Sequence, residues 1–568
     1  MRLVGSEILM ECLLEQGVDV VFGYPGGTIL NVYDSLVKYN DRINHYLTAH
    51  EQGASHAADG YARSTGKVGV VFATSGPGAT NLTTGVATAY MDSSPVVFIS
   101  CNVAENLIGK DSFQEVDSTG VMLPITKCNF QITDVDKLAS TVRKAFAIAR
   151  SGRPGPVFID ILKNVTAEEA EYEFVPREQH KEKGLLRAIY ERDMPDIQKP
   201  AVDEEDIDKL VSMIKESEKP LLICGGGVVR GRAHEEFNQF ANLIDSPTAV
   251  TVMGGGGMNG RNPLVTGMIG MHGSQASNIA VNECDILIAV GCRFSDRVAT
   301  EPETFASQAK IVHIDIDRSE INKNVKTDHH IVGDAKEVLR LLIERLDQQD
   351  HSEWKKFVFS YPTETKYDEG GETLNPKQLC DTIARLMPMD TIVSTDVGQH
   401  QMWAIQHFHF DYPGQLITSG GFGTMGFGLG AAIGSQIGNP DKSVILVAGD
   451  GSFRMNCHEL TTVQYYDLPI IIFVFNNQTL GMVRQWQNLI YHKNFSQSDM
   501  DRGPDFVKLA DAYGLKGYRV NNQKDLEAAI EEAKASGKGC VIDCILDIDE
   551  MVRPMVGGGS HITDFMRI

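Results

Sequence analysis

Between Gly449 and Asn477 an acid clasped by two glycines, Gly449-Asp450-Gly451, is followed by a helical segment, a very apolar run and the pair Asn476-Asn477. One carboxylate, one carboxamide, a main-chain carbonyl and water form an all-oxygen set that suits Mg²⁺, above all where phosphate oxygens complete the octahedron. Gly449 and Gly451 keep side chains out of the way of such a diphosphate. Each turn alone reads equally well as an ordinary strand-ending turn. Their coupling across one unit favours the site.

The elements that must position them are a strand over Ser443–Val447, a helix over Cys457–Asp467 and a second strand over Pro469–Phe475. Such β-α-β units are right-handed and can set their strands side by side, ~4.8 Å apart. Asp450 and Asn477 then emerge together at carboxyl edges. A second candidate acid lies in INHYLTAHEQGASHAADGYAR, where a strand ends at His50 and Glu51 and a helix starts near Gln52. This places Glu51 at a carboxyl edge, where α/β sites lie; the alternative is an acid complementing the helix dipole. VVFATSGPGATNLTTG adds a glycine-rich strand-to-helix turn, suited to close backbone approach or simply tight.

Apolar runs alternate with amphipathic stretches along the whole chain, which predicts an α/β fold of parallel sheets flanked by helices. At 568 residues the chain exceeds one core. Two charged, proline-bearing stretches, 174–200 and 348–376, read as linkers and divide it into domains at 1–173, 201–347 and 377–568. No fixed-period repeat is visible, so three unlike domains are expected.

A formal charge of -23 excludes nucleic acid and anionic membrane surfaces as general partners, so an anionic ligand needs a locally positive pocket. The ten cysteines lack Cys-x-x-Cys spacing, and Cys540 with Cys544 reads as a buried strand, as expected of a reduced, intracellular protein. Glu7, Glu11 and Glu15 interrupt the N-terminal apolar pattern, and no segment is apolar enough to span a membrane. A cytoplasmic location follows as the expectation, or a processed organelle form.

The spacing of Gly-Asp-Gly to Asn-Asn resembles the thiamine-diphosphate motif, and the phrases FGYPGGTIL, HEQGASHAADGYARSTG, TSGPGATNL, DSFQE, SGRPGPV, GMHGS, RFSDRV, HIDID and NNQTLGMVRQWQ extend the resemblance to the catalytic subunits of the acetohydroxyacid (acetolactate) synthase family. The resemblance implies three doubly wound domains that bind the pyrimidine ring, FAD and the diphosphate in turn. Asp450, Asn477 and the backbone oxygen of Thr479 would hold Mg²⁺ on the diphosphate, beside Gly398, Gln399, His400, Gly449, Gly451, Ser452 and Met482. Glu51 would hydrogen-bond N1′ of the aminopyrimidine and activate the cofactor, and Met425 would wedge beneath it, although a methionine there also reads as core.

The family joins pyruvate to pyruvate or 2-oxobutanoate with loss of CO₂, the first common step toward branched-chain amino acids. Phe113 and Gln114 would line the site, Lys163 and Arg297 would mark its entrance or meet the acceptor carboxylate, and Trp486 would shape the acceptor pocket; Phe113 and Trp486 otherwise read as core, Lys163 and Arg297 as solvated or structural. A structural FAD would rest on Gly225, Gly226, Met271, His272, Arg293, Asp315 and Asp334. Catabolic relatives lack FAD and the RF-x-D-R phrase. The family's sites combine two chains, which implies a homodimer or a dimer of dimers, with room for a small regulatory subunit.

Simple 2-oxoacid decarboxylases carry a paired histidine in the first domain, where this chain reads GKDSFQE; its His329-His330 pair lies in the middle domain, with an exposed or FAD-adjacent loop expected. The alternatives are a pyruvate oxidase or another decarboxylase or carboligase of this architecture, and a catalytically dead binding subunit. Ser295, Ala104, Leu162 and Asn164 depart from the family's usual Asp, Pro, Pro and Asp, and the C-terminal tail is short. These departures lie around the expected substrate channel and bear on substrate preference.

Overall fold

The computed structural model describes residues 1–179, 200–367 and 374–567. Three stretches of the chain each build a six-stranded sheet in which every pairing is parallel. Central strands such as Val96–Asn102 and Ile471–Asn476 are buried throughout, because helices cover both faces and no position can be polar for solvent's sake.

Across the first sheet the strands run Asn44–Leu47, Val20–Gly23, Gly69–Thr74, Val96–Asn102, Val157–Leu162, Cys128–Ile132. Across the third they run Leu416–Ile417, Ile392–Thr395, Val444–Gly449, Ile471–Asn476, Cys540–Ile545, Lys516–Val520. Numbered within each domain, both have the order 2-1-3-4-6-5. The expectation of three unlike domains is thus corrected: one topology is used twice. Strand order is set by apolar pattern and right-handed crossovers, which unrelated side chains and unequal loops satisfy equally, so no sequence period betrays it. The middle sheet has the order 3-2-1-4-5-6, with strands Val265–Met268, Thr248–Val250, Pro220–Cys224, Ile286–Val290, Lys310–Asp315 and His329–Val332. That is the dinucleotide-binding order, with its crevice between the first and fourth strands.

The first and third domains are locked together within the chain by helices Glu51–Thr65 and Phe427–Gly438. Small residues let the backbones touch: a Cβ on Gly434 would lie 1.8 Å from the Ala57 carbonyl oxygen, and one on Gly60 would lie 2.2 Å from that of Ala431. At the far end of this seam the buried Arg63 guanidinium pairs with Asp59 and Asp92.

His329 and His330 lie on an edge strand rather than a loop, where alternation buries His329 and exposes His330; Nε2 of His329 meets the Asp206 carbonyl, and neither lines the large cleft described below. Within residues 348–376, helix Ser352–Val358 buries Trp354, whose Nε1 donates to the Pro220 carbonyl at 2.8 Å. All ten cysteines are free, and Cys540 and Cys544 are buried on one strand as expected. Among the described residues no helix is long and apolar enough to cross a membrane.

Candidate active site

Strands Val444–Gly449 and Ile471–Asn476 are parallel neighbours with Gly449 beside Phe475, so Asp450 and Asn477 do emerge at adjacent carboxyl edges. The helix starts at Asp450, not at Cys457 as the apolar pattern suggested. Ser452 causes the difference: its hydroxyl is 3.2 Å from both the amide and the carbonyl of Gly449, closing a first turn that periodicity does not reveal. Burial pushes the Asp450 carboxyl up to about 7, a shift that a neighbouring cation reverses. Asn477 spends its amide nitrogen on Gln399 Oε1 at 3.0 Å, leaving its carboxamide oxygen as the acceptor available to a cation. Thr479 is buried, with its hydroxyl on the Ser498 carbonyl.

His400 stands against this edge. A Cβ on Gly449 would lie 2.6 Å from its Nδ1 and one on Gly398 would lie 2.8 Å from its Cε1, so glycine is needed at both positions. Burial holds the imidazole down to about 3, and its Nε2 has no partner. An anionic oxygen against that nitrogen would favour a proton there, so the residues fit a diphosphate. Met425 follows Thr424 in a loop that Asp396 anchors by accepting the Gly426 amide at 2.7 Å.

A cleft of about 660 Å³ opens where residues of all three domains face each other. Its walls gather Gly226, Met271, His272, Arg293, Arg297, Asp315 and Asp334 with Gly398, Met482 and Trp486. Gly225 sits behind the wall, where a Cβ would meet the Gly291 carbonyl oxygen at 2.1 Å. Asp315 ends its strand and Asp334 caps the helix Ala335–Arg345. Trp486 is half-buried, so it is not core; Arg297 is exposed, as the solvated alternative also expects, with Nη1 3.2 Å from Met271 Sδ. Buried His272 has an unpaired Nδ1.

Three arginines that sequence reasoning left unassigned, Arg150, Arg153 and Arg230, line the same cleft. The first immediately precedes the quoted SGRPGPV phrase, the second lies within it, and the third follows the glycine triplet. Arg153 is tied to Asp317 and Glu320, whereas among the described residues Arg230 Nε donates to the Asp92 carbonyl, at 3.3 Å. With Arg293 and Arg297 they give the acidic chain its positive pocket, and the volume, glycine seam, arginines and unpaired His272 nitrogen fit a dinucleotide.

Glu51 opens the helix Glu51–Thr65 and is buried at the carboxyl edge of the first sheet. Its Oε2 accepts from Asn81 Nδ2 at 2.9 Å, while a Cβ on Gly78 would stand 3.2 Å from Oε1. Asn81, the last residue of helix Pro77–Asn81, was quoted within TSGPGATNL but given no role. Gly76, at φ 58°, backs onto the Gln114 carbonyl, so Glu51, the Gly-Pro-Gly turn and Gln114 share one corner. Phe113 is 88% exposed, which rules out a core role within this chain. Lys163 Nζ donates to the Gly27 carbonyl at 3.2 Å. The departures Ala104 and Asn164 adjoin, since Asn164 Oδ1 accepts the Glu105 amide at 3.0 Å. Among the described residues no hydrogen bond or ion pair joins Glu51 to Asp450 or Asn477.

Three family profiles match the chain in order: the thiamine pyrophosphate enzyme N-terminal TPP binding domain over residues 3–121, the central domain over 207–342 and the C-terminal TPP binding domain over 396–544. A protein of Methanocaldococcus jannaschii named "Probable acetolactate synthase large subunit" is 43% identical across 99% of this chain and 95% of its own. The acetolactate synthase large subunit of Cyanidium caldarium is 43% identical across 98% and 95%. The acetolactate synthase isozyme 2 large subunit of Escherichia coli K12 is 40% identical across 99% of each chain. The chain therefore belongs to the thiamine pyrophosphate enzymes and, within them, to the acetolactate synthase large subunits.

Proposed function

We propose that the chain decarboxylates pyruvate and joins the remaining two-carbon unit to a second 2-oxoacid, pyruvate or 2-oxobutanoate, giving 2-acetolactate or 2-aceto-2-hydroxybutyrate. The observation that carries this reading is that one chain holds both halves of a thiamine site, Asp450 with Asn477 at one carboxyl edge and Glu51 at another. Thiamine diphosphate supplies the carbon nucleophile and the electron sink for CO₂ loss.

The residues supply binding, orientation and proton control. Asp450, Asn477 and the Thr479 carbonyl would hold Mg²⁺ against the diphosphate, with His400 donating to its oxygens. Met425 would support the bent cofactor. Oε1 of Glu51 is the carboxyl oxygen that would face N1′ and share its proton with that nitrogen, since Oε2 is held by Asn81. Because no hydrogen bond or ion pair among the described residues joins Glu51 to Asp450 or Asn477, the reading calls for a second copy to complete each site, hence a homodimer or a dimer of dimers.

Arg297 would offer two parallel donors to the acceptor's carboxylate, and Trp486 would bound its side chain. Phe113, Gln114 and Lys163 would close the partner's side of the pocket. The GKDSFQE stretch brings no histidine pair to protonate a decarboxylated unit, which leaves it for carbon-carbon bond formation. FAD would fill the 660 Å³ cleft without net redox. The relatives' designation as large subunits supports a smaller regulatory partner, and the free cysteines support a cytoplasmic setting.

Incubating the purified chain with pyruvate, thiamine diphosphate and Mg²⁺, and identifying the product, tests the reading. Acetolactate is expected; acetaldehyde, or acetate formed with oxygen uptake, would replace it with a decarboxylase or an oxidase.

A further inference from the structure

We propose that Asp92 is a positioning residue through which a dinucleotide in the large cleft tightens thiamine diphosphate binding, and through which thiamine diphosphate tightens the dinucleotide in return. The inference rests on the two-cofactor reading above and adds a physical link between the sites.

All three domains meet at Asp92. It follows helix Thr83–Met91 of the first domain and is buried. Its Oδ1 accepts the amide of Gly421 in the third domain at 2.7 Å, its Oδ2 accepts from Arg63 at 3.1 Å, and its carbonyl accepts from Arg230 of the middle domain at 3.3 Å. Arg63 also donates to the Thr418 carbonyl at 2.6 Å, and the Thr88 hydroxyl meets that of Thr424 at 2.6 Å. The first domain therefore grips the loop from Thr418 to Thr424 at three points. Met425 and Gly426 come next, and Asp396 holds the Gly426 amide.

That loop is also a wall of the dinucleotide cleft, through Ser419, Gly420 and Gly423, and Asp92 and Ser93 line it alongside. Gly421 is wedged between the two functions. A Cβ there would lie 2.5 Å from Asp92 Oδ1 and 2.8 Å from Arg293 Nη2. An anionic ligand that draws Arg230 and Arg293 toward itself acts on the same peptide segment whose end seats Met425. The segment Gly420-Gly421-Phe422-Gly423 is glycine-rich, so ordering it costs much conformational entropy. Whichever ligand orders it first spares the other that cost, which gives positive coupling without a change of fold.

The test is calorimetric titration of the purified full chain with thiamine diphosphate and Mg²⁺, with and without saturating FAD, and fluorescence titration of FAD with and without thiamine diphosphate. The expected result is about tenfold tighter binding in each direction by the same factor, as linkage requires. Equal affinities with both cofactors bound overturn the inference and leave the two-cofactor reading intact. Failure of either cofactor to bind removes both. In Asp92→Asn the coupling is expected to fall to within about twofold while FAD still binds. Thr424→Val removes one loop contact without touching the buried charges; it decides the matter if Asp92→Asn fails to fold. Wild-type coupling in a folded Thr424→Val, or in a folded Asp92→Asn, sinks the route through Asp92.

Discussion

The carboxamide of Asn81 donates to Glu51 Oε2 at 2.9 Å, joining residues 30 apart in sequence at one corner of the first sheet. The bond makes the two carboxylate oxygens unequal: Oε2 is occupied, and Oε1 faces Gly78. Glu51→Gln is expected to cost about 10²- to 10⁴-fold in kcat, the range for a lost proton-transfer group, with thiamine diphosphate affinity kept within a few-fold. Asn81→Leu keeps the acid but frees it to rotate, and about a tenfold loss is expected from one hydrogen bond to a charged group. Initial rates of acetolactate formation, with cofactor affinity measured by calorimetry, check both. Full turnover in Glu51→Gln would remove the assigned activator.

Asp450→Ala and Asn477→Ala should separate metal from cofactor. Each removes one oxygen ligand proposed for Mg²⁺, so thiamine diphosphate affinity in the presence of Mg²⁺ should fall on the order of 10²-fold or more, beyond what an outer-shell loss costs. Chelating the cation from the wild type should weaken binding in the same way, and adding Mg²⁺ back should restore it. Affinity independent of Mg²⁺ in the wild type would dismiss the proposed ligands.

What the sequence made legible was the part written in local pattern. Buried strands, the Gly-Asp-Gly and Asn-Asn edges and the strand closing on Asp315 are each carried by contiguous residues, and the fold places them as expected. The helix start at Asp450 was missed because it depends on the Ser452 hydroxyl, and the shared topology of the first and third domains because connectivity leaves no residue signature. Asn81, Arg230 and Asp92 were passed over for a different reason. Each is an ordinary polar residue in its own segment, and its role depends on partners from 30 to 329 residues away.

Asp396 gives a pH signature. It lies at the end of strand Ile392–Thr395, and burial raises its carboxyl to about 6 even though Oδ1 accepts the Val397 and Gly426 amides at 2.9 and 2.7 Å. The folded value exceeds the unfolded one, so its contribution to stability is fully present below about pH 4 and is lost as pH rises through about 6. The charged form then costs ~3 kcal/mol at neutral pH. Asp396→Asn keeps an oxygen acceptor and cannot ionise, so its stability relative to wild type should climb between pH 4 and 7 and level off above. Urea midpoints at pH 5 and pH 7.5 check the sign. A difference that does not change with pH would show that this carboxyl is not titrating in the fold.

Gly434 tests how the first and third domains are locked. A methyl group there would lie 1.8 Å from the Ala57 carbonyl oxygen and 2.9 Å from its Cα, both backbone atoms that no side-chain rotation can clear. The helices Glu51–Thr65 and Phe427–Gly438 would have to part, and the shift would reach Glu51, at the head of one helix, and the Met425 loop that leads into the other. Gly434→Ala gains intrinsic helix propensity of about 1 kcal/mol, yet overpacking of 1–3 kcal/mol or more should outweigh it. The net expectation is lower stability by ~2 kcal/mol, read from the urea midpoint, with weaker thiamine diphosphate binding alongside. Gly17→Ala is an unsuitable control despite its open space, because its φ of +74° is itself strained for alanine; Gly27, with nothing within 4 Å of a built Cβ and an unstrained φ, serves instead for stability. A Gly434→Ala protein as stable as Gly27→Ala would mean that the seam yields, and that the two helices do not hold the domains in one fixed arrangement.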